Sequence, residues 1–201
     1  LIRSPIYKEY SKIRELNRGE IKFPQHIIST DVSFPSSVYS VDINNDGYLD
    51  VLSASRYDGK IQWYENDSDD PGNFSEGNII GSLYDVYAIH SEDMDNDGDM
   101  DVLAASLEGN EVAWYENDGN IIGDSFTYIP IGTQDNSRDI YAFDIDNDSD
   151  IDVISASYTD GIFLYMNNEE EIPFSDDNPV NIPNTSSSIS LGDLNSDDNP
   201  D

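Results

Sequence analysis

Residues 93 to 101 read DMDNDGDMD, with five aspartates in nine positions, each at an odd place in the run. Carboxylates packed this closely repel one another, and no lysine or arginine stands near them in the chain to offset the charge. A divalent cation offsets it. Ca²⁺ takes roughly six to eight hard oxygen ligands at about 2.3 to 2.6 Å, and alternating side chains around a sharp turn supply them. Mg²⁺ keeps several of its waters and prefers fewer protein ligands. Asp93, Asp95, Asp97 and Asp101 are the candidate side-chain ligands, at places 1, 3, 5 and 9, with Asp99 giving a backbone carbonyl at place 7. Gly98 stands where the loop needs a positive φ.

The run recurs as DINNDGYLD from Asp42, DIDNDSDID from Asp144 and DLNSDDNPD from Asp193, so successive copies begin 51, 51 and 49 residues apart. In the first copy the candidate ligands are Asp42, Asn44, Asp46, the carbonyl of Tyr48, and Asp50, one charge fewer than in the second. In the third they are Asp144, Asp146, Asp148, the carbonyl of Asp150, and Asp152, with Ser149 in place of the glycine at some cost in strain. The fourth offers Asp193, Asn195, Asp197, the carbonyl of Asn199, and Asp201, with Asp198 at the turn. An EF-hand loop shares the first six places but needs a glutamate at place 12 between two helices. Here place 12 is Ser53, Ala104 or Ser155, and apolar runs of strand length flank the loops.

Those runs keep the same phase. VLSAS, VLAAS and VISAS follow the first three loops directly, IQWYEN, VAWYEN and IFLYMN come next, and SVYSV, AIHSE, DIYAF and SISLG precede the four loops. They are short, rich in Val, Ile, Tyr and Trp, and bounded by Gly, Asn and Asp, which predicts strands. Four antiparallel strands in each unit of about 50 residues is the pattern of a β-propeller blade. The fold class expected is therefore all-β, with blades at 36–83, 84–135 and 136–183 and part of another at 184–201. Residues 21–30 read as the outer strand of a preceding blade, and residues 1–20 fall outside the repeat. A blade is covered on both faces, so Trp63, Trp114 and Tyr165 are expected in blade-to-blade core, and His90 as a strand residue beside a loop. A ring normally needs about four to eight blades, so these 201 residues are expected to form an arc, prone to self-association, whose fourth loop holds metal weakly.

The strand, DxDxDGxxD loop and following strand, together with WYEN, resemble the FG-GAP/VCBS repeat proteins, whose blades are shared with the integrin α-subunit propeller. The resemblance covers about residues 21–201, although the FG and GAP signatures themselves are degenerate. It implies a propeller of six to eight blades with Ca²⁺ held between the first and second strands of each. It also implies a secreted or cell-surface module for adhesion, glycan binding or protein binding, of a kind sometimes attached to polysaccharide-degrading enzymes.

Composition narrows the partners. With 9 basic against 42 acidic side chains the net charge is −33, which repels nucleic acid and anionic membrane surfaces and attracts cations. No apolar run is long enough for membrane insertion. There is no cysteine, hence no disulfide scaffold or thiolate metal site. Neither histidine, His26 nor His90, joins a catalytic motif, and nearly all carboxylate pairs belong to the loops, so the expectation is a non-catalytic binding module, extracellular as the resemblance implies. The alternative is the propeller part of a polysaccharide lyase or hydrolase. Calcium sites of extracellular modules, with dissociation constants of about 10⁻⁴ to 10⁻³ M, suit the first reading.

Overall fold

The computed structural model describes residues 25–120, 126–167, 174–175 and 187–190. The expected residues 1–20 segment, the start of the 21–30 run and the fourth acidic loop lie outside them. The described residues form three four-stranded antiparallel sheets, each ordered as in the chain. The first holds β1 (Pro35–Val41), β2 (Asp50–Ser55), β3 (Lys60–Tyr64) and β4 (Asn78–Ser82). The second holds β5 (Val86–Glu92), β6 (Asp101–Ser106), β7 (Val112–Asn117) and β8 (Phe126–Gly132). The third holds β9 (Ser137–Phe143), β10 (Asp152–Ser157), β11 (Gly161–Asn167) and the two-residue β12 (Phe174–Ser175). The fold is all-β and its sheets are propeller blades.

The repeat is kept in register as well as in order. Val38 pairs with Ser53, Ile89 with Ala104 and Ile140 with Ser155, so each pairing recurs 51 residues on. Each first strand of a sheet starts after a left-handed residue, Phe34, Asp85 or Asn136, at φ 62°, 52° and 56°. The second-to-third strand turns carry Gly59, Asn110 and Gly161 at φ 67°, 55° and 102°. Asparagine and glycine tolerate that region, which is why they recur there.

The two faces of the second sheet pack into different cores. Val102, Ala104 and Tyr115 join Leu52, Trp63 and Ile80 of the first sheet, whereas Leu103, Ala105 and Trp114 join Ile140, Val153 and Tyr165 of the third. Consecutive strand residues point to opposite faces, and here both faces are covered. That is why the strands read as continuous apolar runs, and why Trp63, Trp114 and Tyr165 are 5%, 6% and 2% exposed. Glycines let the blades close on one another. A Cβ on Gly81 would overlap the ring of Tyr115, and one on Gly132 the ring of Tyr165. The hydroxyl of Tyr115 completes the contact by donating to Ser82 O at 2.9 Å.

The first strands lie side by side. Ser36 Oγ donates to Val86 O at 2.9 Å, and the ring of His90 sits between Tyr39 and Tyr141 at 5.1 and 4.9 Å. The amide of Ile189 donates to Asp139 Oδ2 at 2.8 Å, beside β9, but residues 187–190 carry no strand. Residues 25–30 also carry no strand, contrary to the sequence expectation. A strand requires a neighbour for its backbone groups, and no sheet among the described residues takes these; Ile28–Asp31 instead line a cleft with Gln62, Tyr64 and Phe74.

Candidate metal centre

Each of the three described acidic loops joins the first strand of a sheet to its second, where the antiparallel pair must reverse direction. In the first two loops place 2 is the anchor: Ile43 and Met94 are each 1% exposed and lie in the two interblade cores, whereas Ile145 of the third is half-buried. Place 4 is left-handed in all three described loops, with Asn45, Asn96 and Asn147 at φ 55°, 59° and 62°. Place 6 is left-handed too, with Gly47, Gly98 and Ser149 at φ 88°, 97° and 82°. The turn expected at Gly98 is present, and Ser149 adopts it despite its Cβ.

These turns aim backbone amides at the carboxylates. The place 6 amide donates to the place 1 carboxylate, from Gly47 to Asp42 at 2.8 Å, Gly98 to Asp93 at 3.1 Å and Ser149 to Asp144 at 3.0 Å. The place 7 amide donates to place 5, from Tyr48 to Asp46 at 2.8 Å, Asp99 to Asp97 at 2.9 Å and Asp150 to Asp148 at 2.9 Å.

The last aspartate has a distinct environment. Asp50, Asp101 and Asp152 are at most 1% exposed. Asp101 Oδ2 accepts the amide of Met94 at 3.0 Å and Oδ1 that of Asn117 at 2.7 Å; Asp152 likewise accepts Ile145 at 3.1 Å and Asn167 at 2.8 Å. Asp50 accepts the amide of Asn66 at 2.7 Å. Place 9 therefore ties the start of its loop to the end of the sheet's third strand, whatever else its remaining lone pairs do. Burial pushes the Asp101 carboxyl up to about 7, against the pull of the Asn117 and Met94 amides. Asp50 and Asp152 are raised by burial in the same way, and Asp95 by burial and then by the charges of Asp97 and Asp93, with the Asp97 amide pulling it down.

The candidate ligands converge to different degrees. In the second loop Asp93, Asp95 and Asp97 bring one oxygen each within 4.8 Å of one another, with Asp101 outside that set. In the third the set is Asp144, Asp146 and Asp152, with Asp148 outside it. No set of three carboxylates forms in the first loop among the described residues, where Asn44 replaces an acid. Asp193, Asn195, Asp197, Asn199 and Asp201 lie outside the described residues. A hard cation fits the second loop. Asp93 Oδ1 is buried and has no hydrogen-bond partner among the described residues, a costly state that coordination would relieve. Asp99 is placed by a cross-loop contact, since its Oδ1 accepts the side-chain amide of Asn45 at 2.7 Å.

One positioning residue was not singled out from the sequence. The asparagine closing each WYEN or LYMN run supplies the amide that holds place 9, and its side chain donates to the carbonyl before it. Asn66 Nδ2 reaches Leu49 O at 3.0 Å, Asn117 reaches Met100 O at 3.1 Å and Asn167 reaches Ile151 O at 3.4 Å. Asn117 also reaches Ile43 O of the preceding loop at 3.2 Å. Its fixed phase, at the end of an otherwise apolar strand, was the available signal. His90 stands in β5 between two tyrosines, apart from the carboxylate clusters, and burial lowers its pKa to about 4 although the charge of Asp139 opposes this.

The comparisons agree with this architecture. Among curated proteins the sequence has no match. A solved structure of an Agrocybe aegerita lectin, described by its specific recognition of non-reducing terminal N-acetylglucosamine, superposes with a TM-score of 0.50 at 15% identity. The match covers 79% of this chain and 44% of that one, so the chain spans less than half of the lectin's length, and the likeness is one of fold. The FG-GAP-like repeat is matched three times, over residues 42–104, 93–155 and 144–201, each match running from one acidic loop past the next or to the last residue. Given loops, strands and blades that recur in the same phase, the chain belongs to the FG-GAP-like repeat family.

Proposed function

We propose that this protein is an extracellular, non-catalytic binding module whose blades are stiffened by Ca²⁺ in the loops 42–50, 93–101 and 144–152. The observation that carries the reading is the convergence of the Asp93, Asp95 and Asp97 oxygens, with Asp93 Oδ1 buried and unpartnered among the described residues. The ligands would be Asp93, Asp95 and Asp97, with Asp144, Asp146 and Asp152 in the third loop and Asp42, Asn44 and Asp46 in the first. A bound Ca²⁺ supplies charge compensation and cross-links the loop; the protein's part is to hold the oxygens in place with the turn amides.

The organic ligand is a glycan or an extracellular protein, met on the side opposite the acidic loops. That side carries aromatic surface. Phe34 and Tyr57 stack in the open at 4.7 Å, Tyr84 is 71% exposed, and Arg138 lies 4.2 Å over the ring of Tyr158. Exposed rings of this kind mark interaction surfaces and suit the apolar faces of sugar rings. The test is a glycan array in millimolar Ca²⁺, followed by a depolymerisation assay on every glycan retained. Retention that is lost with EDTA, without chain cleavage, is expected; release of shortened or unsaturated products would overturn the non-catalytic reading.

A further inference from the structure

The acidic loops are joined to one another. Asn45, at place 4 of the first, sends its side chain into the second, where Nδ2 donates to Gly98 O at 3.1 Å and to Asp99 Oδ1 at 2.7 Å. Asn96, at place 4 of the second, does the same one blade on, donating to Ser149 O at 3.1 Å. In both cases the accepting carbonyl belongs to place 6. The N–H of that same peptide, at place 7, is held by the place 5 carboxylate of its own loop, Asp97 at 2.9 Å or Asp148 at 2.9 Å. The peptide between places 6 and 7 is thus gripped from both sides, and one of the grips comes from the neighbouring blade. That peptide sets where the Cα of place 7 lies, and the carbonyl of place 7, on the following peptide, is the candidate ligand.

We propose that Asn45 and Asn96 are positioning residues through which each acidic loop shapes the cation site of the next, so that the sites fill cooperatively along the arc. This rests on the cation reading above. A left-handed backbone alone does not explain the asparagines, because glycine meets that need without an amide. An aspartate would bring a carboxylate against a carbonyl oxygen and, from position 45, against Asp99. The coupling must also run backwards: whatever ordering the first loop lends the second, a cation in the second returns to the first.

The two tryptophans make the test site-resolved. The indole of Trp63 lies beside Asp50 and that of Trp114 beside Asp101, while the third sheet has Leu164 at this place. Tb³⁺ luminescence excited through tryptophan therefore reports the second loop in a Trp63→Phe chain and the first loop in a Trp114→Phe chain. Adding Asn45→Gly, which keeps the left-handed turn, should raise the Tb³⁺ midpoint of the second loop about tenfold, the lower end of what losing an outer-shell partner costs. The midpoint of the first loop should rise as well, by no more than that factor, because the coupling is reciprocal, and Asn45→Asp should weaken the second loop further. Ca²⁺ calorimetry on Asn45→Gly with both tryptophans present should show reduced cooperativity, a readout independent of the core substitutions. Saturable luminescence indifferent to Asn45→Gly, or a loss confined to the first loop, overturns the relay alone. No Tb³⁺ binding in either reporter chain overturns the relay and the cation reading together.

Discussion

Ser149 holds φ at 82° where the first two loops have glycine at 88° and 97°. A Cβ in the left-handed region costs about 1 kcal/mol, so Ser149→Gly should stabilise the metal-free protein by up to about that amount, partly offset by the freer unfolded chain. It should also tighten the third loop; urea melts with and without Ca²⁺ measure both effects. His90 sets a pH dependence. Its folded pKa, about 4, lies below the ordinary 6.5, because burial outweighs the opposing charge of Asp139. On acidification the unfolded chain therefore takes up the proton first, and stability is lost as pH falls from about 6.5 through 4, by up to about 3 kcal/mol. Asp101 has the opposite sign, since its folded pKa is raised and its protonation favours the folded state. His90 is accordingly isolated by difference. His90→Tyr, the residue type of positions 39 and 141, should match the parent near pH 7 and exceed it in stability near pH 4.5. Equal slopes for the two proteins between those values would remove His90 from the account.

The blade is defined by strands and by what crosses between them. Gly81 is not left-handed, yet a Cβ there meets the ring of Tyr115, so Gly81→Ala should cost about 1 to 3 kcal/mol by overpacking. Gly47→Ala meets no atom within 4 Å but stands at φ 88° and should cost about 1 kcal/mol through the backbone. Denaturant midpoints of the two variants should fall in that order. Asn117 is 1% exposed and satisfies both Met100 O and Ile43 O, so Asn117→Ala leaves buried acceptors unmet, at about 1 to 3 kcal/mol. Asn66→Ala, at a more exposed position, should cost less; equal costs would argue against the interblade bond. Strands and loops were legible in the sequence because each depends on a local pattern, alternating acids around Gly98 or a short run such as VLSAS recurring in phase. The interblade bonds were not, because Asn45 meets Gly98 and Asn117 meets Ile43 across separations of 53 and 74 residues, and only the packed register brings them together. Residues 25–30 misled for a related reason: composition gives strand propensity but not the partner that a strand requires.

Among the described residues the three sheets share interblade cores, and their acidic loops follow one another 51 residues apart and touch through Asn45 and Asn96. The chain carries a net charge of −33, and in the second loop the carboxylates of Asp93, Asp95 and Asp97 approach one another. Simple salt screens such repulsion at a distance but supplies neither the coordination that Asp93 Oδ1 lacks nor a cross-link between places 1 and 5. The central claim is that these loops are cation sites belonging to the fold, and thermal unfolding of one preparation tests it most directly, in EDTA, in EDTA with 1 M NaCl, and in millimolar Ca²⁺. Because a ligand that binds only the folded state stabilises it by mass action, Ca²⁺ should raise the midpoint by at least about 5 °C, corresponding to 1 to 2 kcal/mol for a chain of this size, and NaCl should recover only part of that rise. A midpoint unchanged by Ca²⁺, or a rise that NaCl reproduces in full, would contradict the account and leave the loops as charge clusters.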